Sequence, residues 1–234
     1  MSERVNYIFT VFLYLIGGGS AILITLIITP HLNNNLDTSK LNLLGIFFTY
    51  FGIGLGLTSF SIINSLVMFK ARSKKEFKDI ITNSPLYILF FSVLYGISIF
   101  IFDERFNIKL SILLILMIWL SNLYTLSNNY YQSLFKKWKS FKITIFYSFI
   151  FIVTYFVFWN FFKFDPFYMR IIIPVFIFGL LALNFYYPIY NKKYIVKKIP
   201  SKTINNHIKN IFFHTLFGIF FTQIDKLMVI NFFN

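Results

Sequence analysis

The chain has 234 residues, of which 57% are hydrophobic and 13% charged, with a mean hydropathy of +0.70. That leaves too little polar surface to cover a water-soluble globule of this length and marks an integral membrane protein. The net charge of +14 must therefore be read loop by loop, and the absence of cysteine excludes disulfides, thiolate metal sites and cysteine nucleophiles.

A hydrocarbon core about 30 Å thick takes about 20 apolar helical residues. In chain order the candidate spans are 7–28, 43–68, 85–102, 110–126, 143–162, 171–190 and 211–230. Unpaired backbone groups are so costly in lipid that runs of this length must be helices, because barrel strands would be shorter and would alternate in polarity. The expected fold class is all-α, a polytopic membrane helical bundle. The first span is too long for a signal-peptide core and is read as retained, and "TPHLNNN" after it is read as a helix stop. The second span, about 39 Å long at 1.5 Å per residue, must tilt or bend.

Within the first span Thr10, Tyr14, Gly17, Ala21 and Thr25 recur at helical spacing, and Gly45, Thr49, Gly52, Gly56 and Ser59 do so in the second. Lipid has no use for such stripes. Two readings stand: close helix packing on glycine, Gly52 and Gly56 forming a GxxxG, or the lining of a water-accessible cavity.

Basic residues near the spans favour the cytoplasmic side. With the amino terminus inside, the inner segments carry Arg4; Lys70, Arg72, Lys74, Lys75 and Lys78; Lys136, Lys137, Lys139 and Lys142; and Lys192, Lys193, Lys197, Lys198, Lys202 and Lys209. The opposite side carries only Lys40, Arg105, Lys109, Lys163 and Arg170. Topology and attraction to anionic headgroups thus account for the charge, and nucleic acid is not an expected partner. The segment "YYQSLFKKWKSFK", 130–142, mixes aromatics with lysines as an amphipathic piece in the inner interface would. Apart from Lys226, every Lys and Arg is placed in or beside a loop.

The seventh span holds "FTQIDKLMVI", in which His214, Gly218, Thr222 and Asp225 lie within about 80° of one another on a helix, while Lys226 points about 100° away. Asp225 and Lys226 therefore make no good pair with each other. Each needs another helix, water or a ligand, or else lies near the outer end, where Lys226 snorkels and Asp225 meets water.

The eight acids are scattered, no His/Asp/Glu set has metal-ligand spacing, and neither a GxSxG nor a Walker loop occurs, so neither an enzyme nor a primary pump is expected. What remains is a bundle with polar inner faces.

The strings "YLIGGGSAILITLIITPHL", "FGIGLGLTSFSIINSL" with the following "FKARSKKEFKDIITNS", "NNYYQSLFKKWKS" and "FFHTLFGIFFTQIDKLMVI" together resemble the polysaccharide or O-antigen flippases (Wzx type) of the multidrug/oligosaccharidyl-lipid/polysaccharide exporter superfamily. The resemblance implies flipping of an undecaprenyl-diphosphate-linked oligosaccharide across the bacterial cytoplasmic membrane by alternating access between two six-helix lobes, around a typically cationic cavity. Residues 1–200 are then a first six-helix lobe, and 201–234 a linker end with a seventh helix that opens a second. Such flippases have about twelve spans, so this chain is expected to be a truncated amino-terminal portion or to pair with the missing lobe or other polysaccharide-assembly proteins. Under that resemblance Asp225, Lys226, His214 and Thr222 are the substrate or coupling-ion candidates, and Thr10, Tyr14, Gly17, Thr49, Gly52, Gly56 and Ser59 the cavity-facing ones. Membrane lipids are partners, no cofactor or metal is expected, and an H+ or Na+ gradient is the candidate energy source. A small-molecule or ion antiporter of the same superfamily, or a non-functional transporter fragment, is the alternative.

Overall fold

Short polar residues set where the helices begin. The computed structural model describes residues 24–59, 74–133 and 137–186. Helix α1 is helical over 24–35, and α2 spans Thr38–Ser59, α3 Lys74–Phe102 and α4 Ile108–Ser133. Helix α5, Lys137–Val157, runs on into a π turn at Phe158–Phe162, and α6, Pro166–Leu181, into another at Ala182–Tyr186. Among the described residues there is no strand.

Helices α2, α4 and α6 each start behind an Asp or Asn whose side-chain oxygen accepts a first-turn N–H: Asp37 from Lys40 at 2.8 Å, Asn107 from Leu110 at 2.9 Å and Asp165 from Phe167 at 2.9 Å. These are N-cap residues, satisfying donors that the helix itself leaves unpaired. Pro166 follows Asp165 at the first helical position, where its missing N–H costs nothing. The α5 ladder ends where Lys163 takes a left-handed conformation (φ 50°) and its N–H bonds the Trp159 carbonyl at 3.2 Å.

Among the described residues five stretches are long and apolar enough to cross a membrane: Thr38–Ser59, Ser84–Phe102, Ile108–Tyr131, Thr144–Phe162 and Pro166–Asn184. The described residues thus form a multi-pass membrane helical bundle, as the composition requires. Several boundaries move. Helix α1 passes straight through "TPHLNNN" to residue 35, because His31 docks on α5 through a 2.9 Å bond between its Nδ1 and the Tyr155 hydroxyl. That tertiary contact outweighs the ladder bond lost at Pro30. The expected interfacial piece at 130–142 is instead divided, its first residues ending α4 and its last ones starting α5. Helix α6 begins five residues before the expected 171.

Helix α4 is the centre of the packing, touching α2, α3, α5 and α6. Its spanning stretch and that of α6 are each 56% buried, against 17% for those of α3 and α5. The outer faces of α3 and α5 expose Leu86, Phe90, Leu94 and Ile97, and Phe146, Phe149 and Val153. In a bilayer these rows meet acyl chains.

Close approach to α4 depends on two glycines. A Cβ at Gly54 would run into the side chains of Ile118 and Tyr95, and one at Gly96 into that of Ile115. Gly54 lies about 200° around α2 from Gly52 and Gly56. The glycine that lets α2 approach α4 is therefore Gly54, between the two members of the GxxxG. Gly96→Leu is expected to destabilise the bundle by about 1–3 kcal/mol through overpacking, whereas Gly45→Ala, at a position with no atom within 4 Å of the added carbon, leaves it unchanged. Thermal unfolding of the purified protein in detergent measures the difference.

Candidate functional site

The α1–α2, α3–α4 and α5–α6 connections gather at one end of the bundle, the end with few basic residues. Two kinds of contact hold them there. Lys40 at the start of α2 pairs with Asp165 before α6 at 2.7 Å, and the Lys109 ammonium lies 4.0 Å from the centre of the Tyr168 ring. The first is a solvent-exposed pair and contributes little to stability.

A tighter network lies one layer in. Arg105 grips the buried Asp103 carboxylate with two side-chain bonds of 2.8 Å each, and the Tyr50 hydroxyl of α2 donates to the same carboxylate at 2.9 Å. The Tyr95 hydroxyl in turn donates to the Tyr50 carbonyl at 3.0 Å. One buried carboxylate thus ties α2, α3 and the α3–α4 turn together. The Arg105 guanidinium, with help from the Tyr50 hydroxyl, holds the Asp103 carboxyl below the usual carboxylate range.

Between α2, α5 and α6 stands the feature with the clearest chemical capacity. Arg170, one turn into α6 and half-buried, places its guanidinium carbon 4.7 Å from the centre of the Phe48 ring and 5.1 Å from that of Phe151. Tyr147 and Tyr155 are its electrostatic neighbours. Among the described residues no carboxylate pairs with it. Cation–π contact stabilises such a charge in part but leaves its five N–H donors, arranged as a planar fork, without an anion.

The aromatic wall continues to α1. Tyr155 stacks beside Phe151 and bonds His31, whose ring also meets Phe156 and Trp159 edge-on, the latter at 4.6 Å between centres. The remaining ring nitrogen of His31 is buried without a hydrogen-bond partner among the described residues. Deeper in the bundle Asn122 of α4 donates to the Thr58 hydroxyl of α2 at 3.0 Å, and both residues are buried. This bond is a polar tie between helices, of the kind that fixes register within a membrane.

Of the residues singled out in the sequence, Thr10, Tyr14, Gly17, His214, Thr222, Asp225 and Lys226 lie outside the described residues, as does the segment 201–234. Thr49 and Ser59 are buried, with hydroxyls that donate to carbonyls of their own helix at Gly45 and Gly56. Gly52 and Gly56 are half-buried and Gly45 is exposed. The α2 stripe therefore runs through more than one environment.

Arg170 corrects the expectation that every cation but Lys226 belongs to a loop. The signal was present as "DP" at 165–166, an N-cap followed by proline at the first helical position, which starts α6 early enough to carry Arg170 inside. Nothing comparable marked His31 or Asn122, whose partners are 124 and 64 residues away in the chain.

The described residues thus form a multi-pass helical bundle in which, near one end, a cation meets aromatic rings and no carboxylate among them. No known family model, curated protein or solved structure matches it. The Asp103 network yields a signed pH effect. Because its folded-state pKa is depressed, its contribution is complete above the ordinary carboxylate value of about 3.9 and is lost as pH falls through the lower folded value. The melting temperature of the wild type is expected to fall more steeply below about pH 4 than that of Asp103→Asn.

Proposed function

We infer that the chain takes part in translocating an undecaprenyl-diphosphate-linked oligosaccharide across the bacterial cytoplasmic membrane, with the amino terminus on the cytoplasmic side. Arg170 carries this reading. An intramembrane cation without a counter-ion is a functional site by default, since burial of an isolated charge is unfavourable unless something pairs with it. A guanidinium presents paired N–H donors that match a phosphate, and it stays charged at any physiological pH. The rings of Phe48 and Phe151 beside it lower the local dielectric and strengthen such contacts.

The excess of basic residues on the opposite loops supports the orientation, which puts Arg170 at the outer mouth of the interior. There it would take the diphosphate as the headgroup arrives at the outer leaflet. The flippase-like motifs along the chain support the same substrate class. An anionic lipid-linked substrate also explains why the unpaired group in the aromatic enclosure is a cation.

The test is made at the native chromosomal locus, so that any further segment or partner is present. Arg170→Ala is expected to reduce surface glycan at least tenfold, as loss of a charged hydrogen bond of about 1.5–3 kcal/mol implies, and to leave lipid-linked repeat units on the cytoplasmic face. Arg170→Lys keeps the charge without the fork and is expected to retain part of the flux. Unchanged surface glycan in Arg170→Ala at equal protein level would overturn the assignment, and resistance to small cationic compounds changing in its place would point to a solute exporter.

A further inference from the structure

Away from the Arg170 enclosure, the outer face of α5 and α6 holds an apolar cavity of about 260 Å³, lined by residues that include Phe158, Phe164, Tyr168, Met169, Ile172 and Phe176. The cavity is open on one side: Phe158, Phe164, Ile172 and Phe176 all keep more than a third of their surface exposed, whereas Met169 and Ile173 form a buried floor. Pockets for whole small molecules run from about 300 to 1,000 Å³. A space of this size takes a length of hydrocarbon chain and leaves the remainder of the molecule outside.

The rim indicates what that remainder is. Tyr168, in the cavity wall, has the exposed Lys109 ammonium over its ring at 4.0 Å. Lys163, also exposed, immediately precedes Phe164 of the wall and is fixed by the left-handed turn that ends α5. Phe164 stacks with Phe158 and Phe162, which stiffens that rim. Asp165, the acid next to them in sequence, is occupied by Lys40 and by the first turn of α6. Among the described residues neither Lys109 nor Lys163 has a carboxylate partner. Lys109 over the wall residue Tyr168 and Lys163 next in sequence to the wall residue Phe164 put positive charge beside an apolar slot, the order in which an anionic lipid carries its own.

We propose that this cavity is a binding site for an anionic phospholipid of the bilayer, one acyl chain entering between α5 and α6 and its phosphate bridging Lys109 and Lys163. The site is separate from Arg170 and does not depend on the translocation reading. Occupancy wedges the outer ends of α5 and α6, which are also the helices that present Tyr155 and Arg170.

The experiment uses the full chain in nanodiscs of phosphatidylcholine doped with phosphatidylglycerol that carries a photoactivatable diazirine on its acyl chain, with diazirine-labelled phosphatidylcholine in parallel. After irradiation, adducts are mapped by peptide mass spectrometry. Labelled phosphatidylglycerol is expected to concentrate on peptides covering 154–176, several-fold above labelled phosphatidylcholine. The double variant Lys109→Gln, Lys163→Asn should remove that excess, asparagine being chosen because it tolerates the left-handed backbone. Thr154→Trp, which fills the slot and leaves both lysines, should reduce labelling from either lipid. Equal labelling by the two lipids, or an excess that survives loss of both lysines, would reduce the cavity to a stretch of ordinary lipid contact and overturn the proposal.

Discussion

Hydrocarbon offers no hydrogen-bond partner, so every polar group placed within the membrane has to find one inside the chain. Most of the buried polar side chains obey this, the Ser111 hydroxyl and one ring nitrogen of His31 excepted among the described residues. Thr49, Thr58, Ser92 and Ser127 each turn their hydroxyl back to a carbonyl one turn earlier in their own helix, at Gly45, Gly54, Ile88 and Leu123. Such groups can then sit against neighbouring helices without a desolvation cost left uncovered. The arrangement of helices follows. Helix α4, which brings the buried Ser111, Ser121, Asn122 and Ser127, lies at the centre where other helices shield it, while α3 and α5 turn aromatic and aliphatic rows outward.

The same constraint explains where charge is allowed. Asp103 is buried but has Arg105 and Tyr50 about it, so its charge is neutralised locally. Lys40 and Asp165 pair at the surface. Arg170 departs from the pattern. Its partners are rings, and its helix, started early by Asp165 and Pro166, carries it into the space between α2 and α5. Among the described residues Asp103 meets a guanidinium, whereas Arg170 meets aromatic faces and no carboxylate. That contrast, more than the presence of arginine as such, singles out the position.

Close packing and chemistry use different sides of the same helices. On α2, Gly54 and Thr58 face α4, one admitting Ile118 and the other bonding Asn122, whereas Gly52 and Gly56 fall about 200° around the helix from Gly54. On α5, Phe151 and Tyr155 are wholly buried toward Arg170 and His31, while Phe149 and Val153 are exposed. The alternation on α5 would be hard to find from hydropathy, because both faces are apolar and aromatic.

Much of the architecture was legible without coordinates. Runs of apolar residues near the length of a bilayer crossing have one stable form in lipid, and five of the expected spans are helices of that kind. The ends were less legible, because local signals compete with distant contacts. A proline and three asparagines read as a stop at 30–35, yet docking of His31 on Tyr155 carries the helix onward. The candidate residues of the seventh span, Asp225 foremost, lie outside the described residues. Arg170 escaped hydropathy for a simpler reason: it stands one residue before the apolar run at 171–190, and only the early start of α6 brings it among the rings.

By itself, then, the sequence determined the solvent and the secondary structure, since both depend on the free energy of transferring a segment to lipid, a sum over neighbouring residues. Only the tertiary structure decided which polar groups meet. Asn122 with Thr58, Tyr50 with Asp103 and the rings about Arg170 are joined across many residues of chain, and nothing periodic along one helix encodes the partner on another. Helix packing sets those pairs, because side-chain contact depends on rotation and stagger between helices, and these are properties of the assembled bundle.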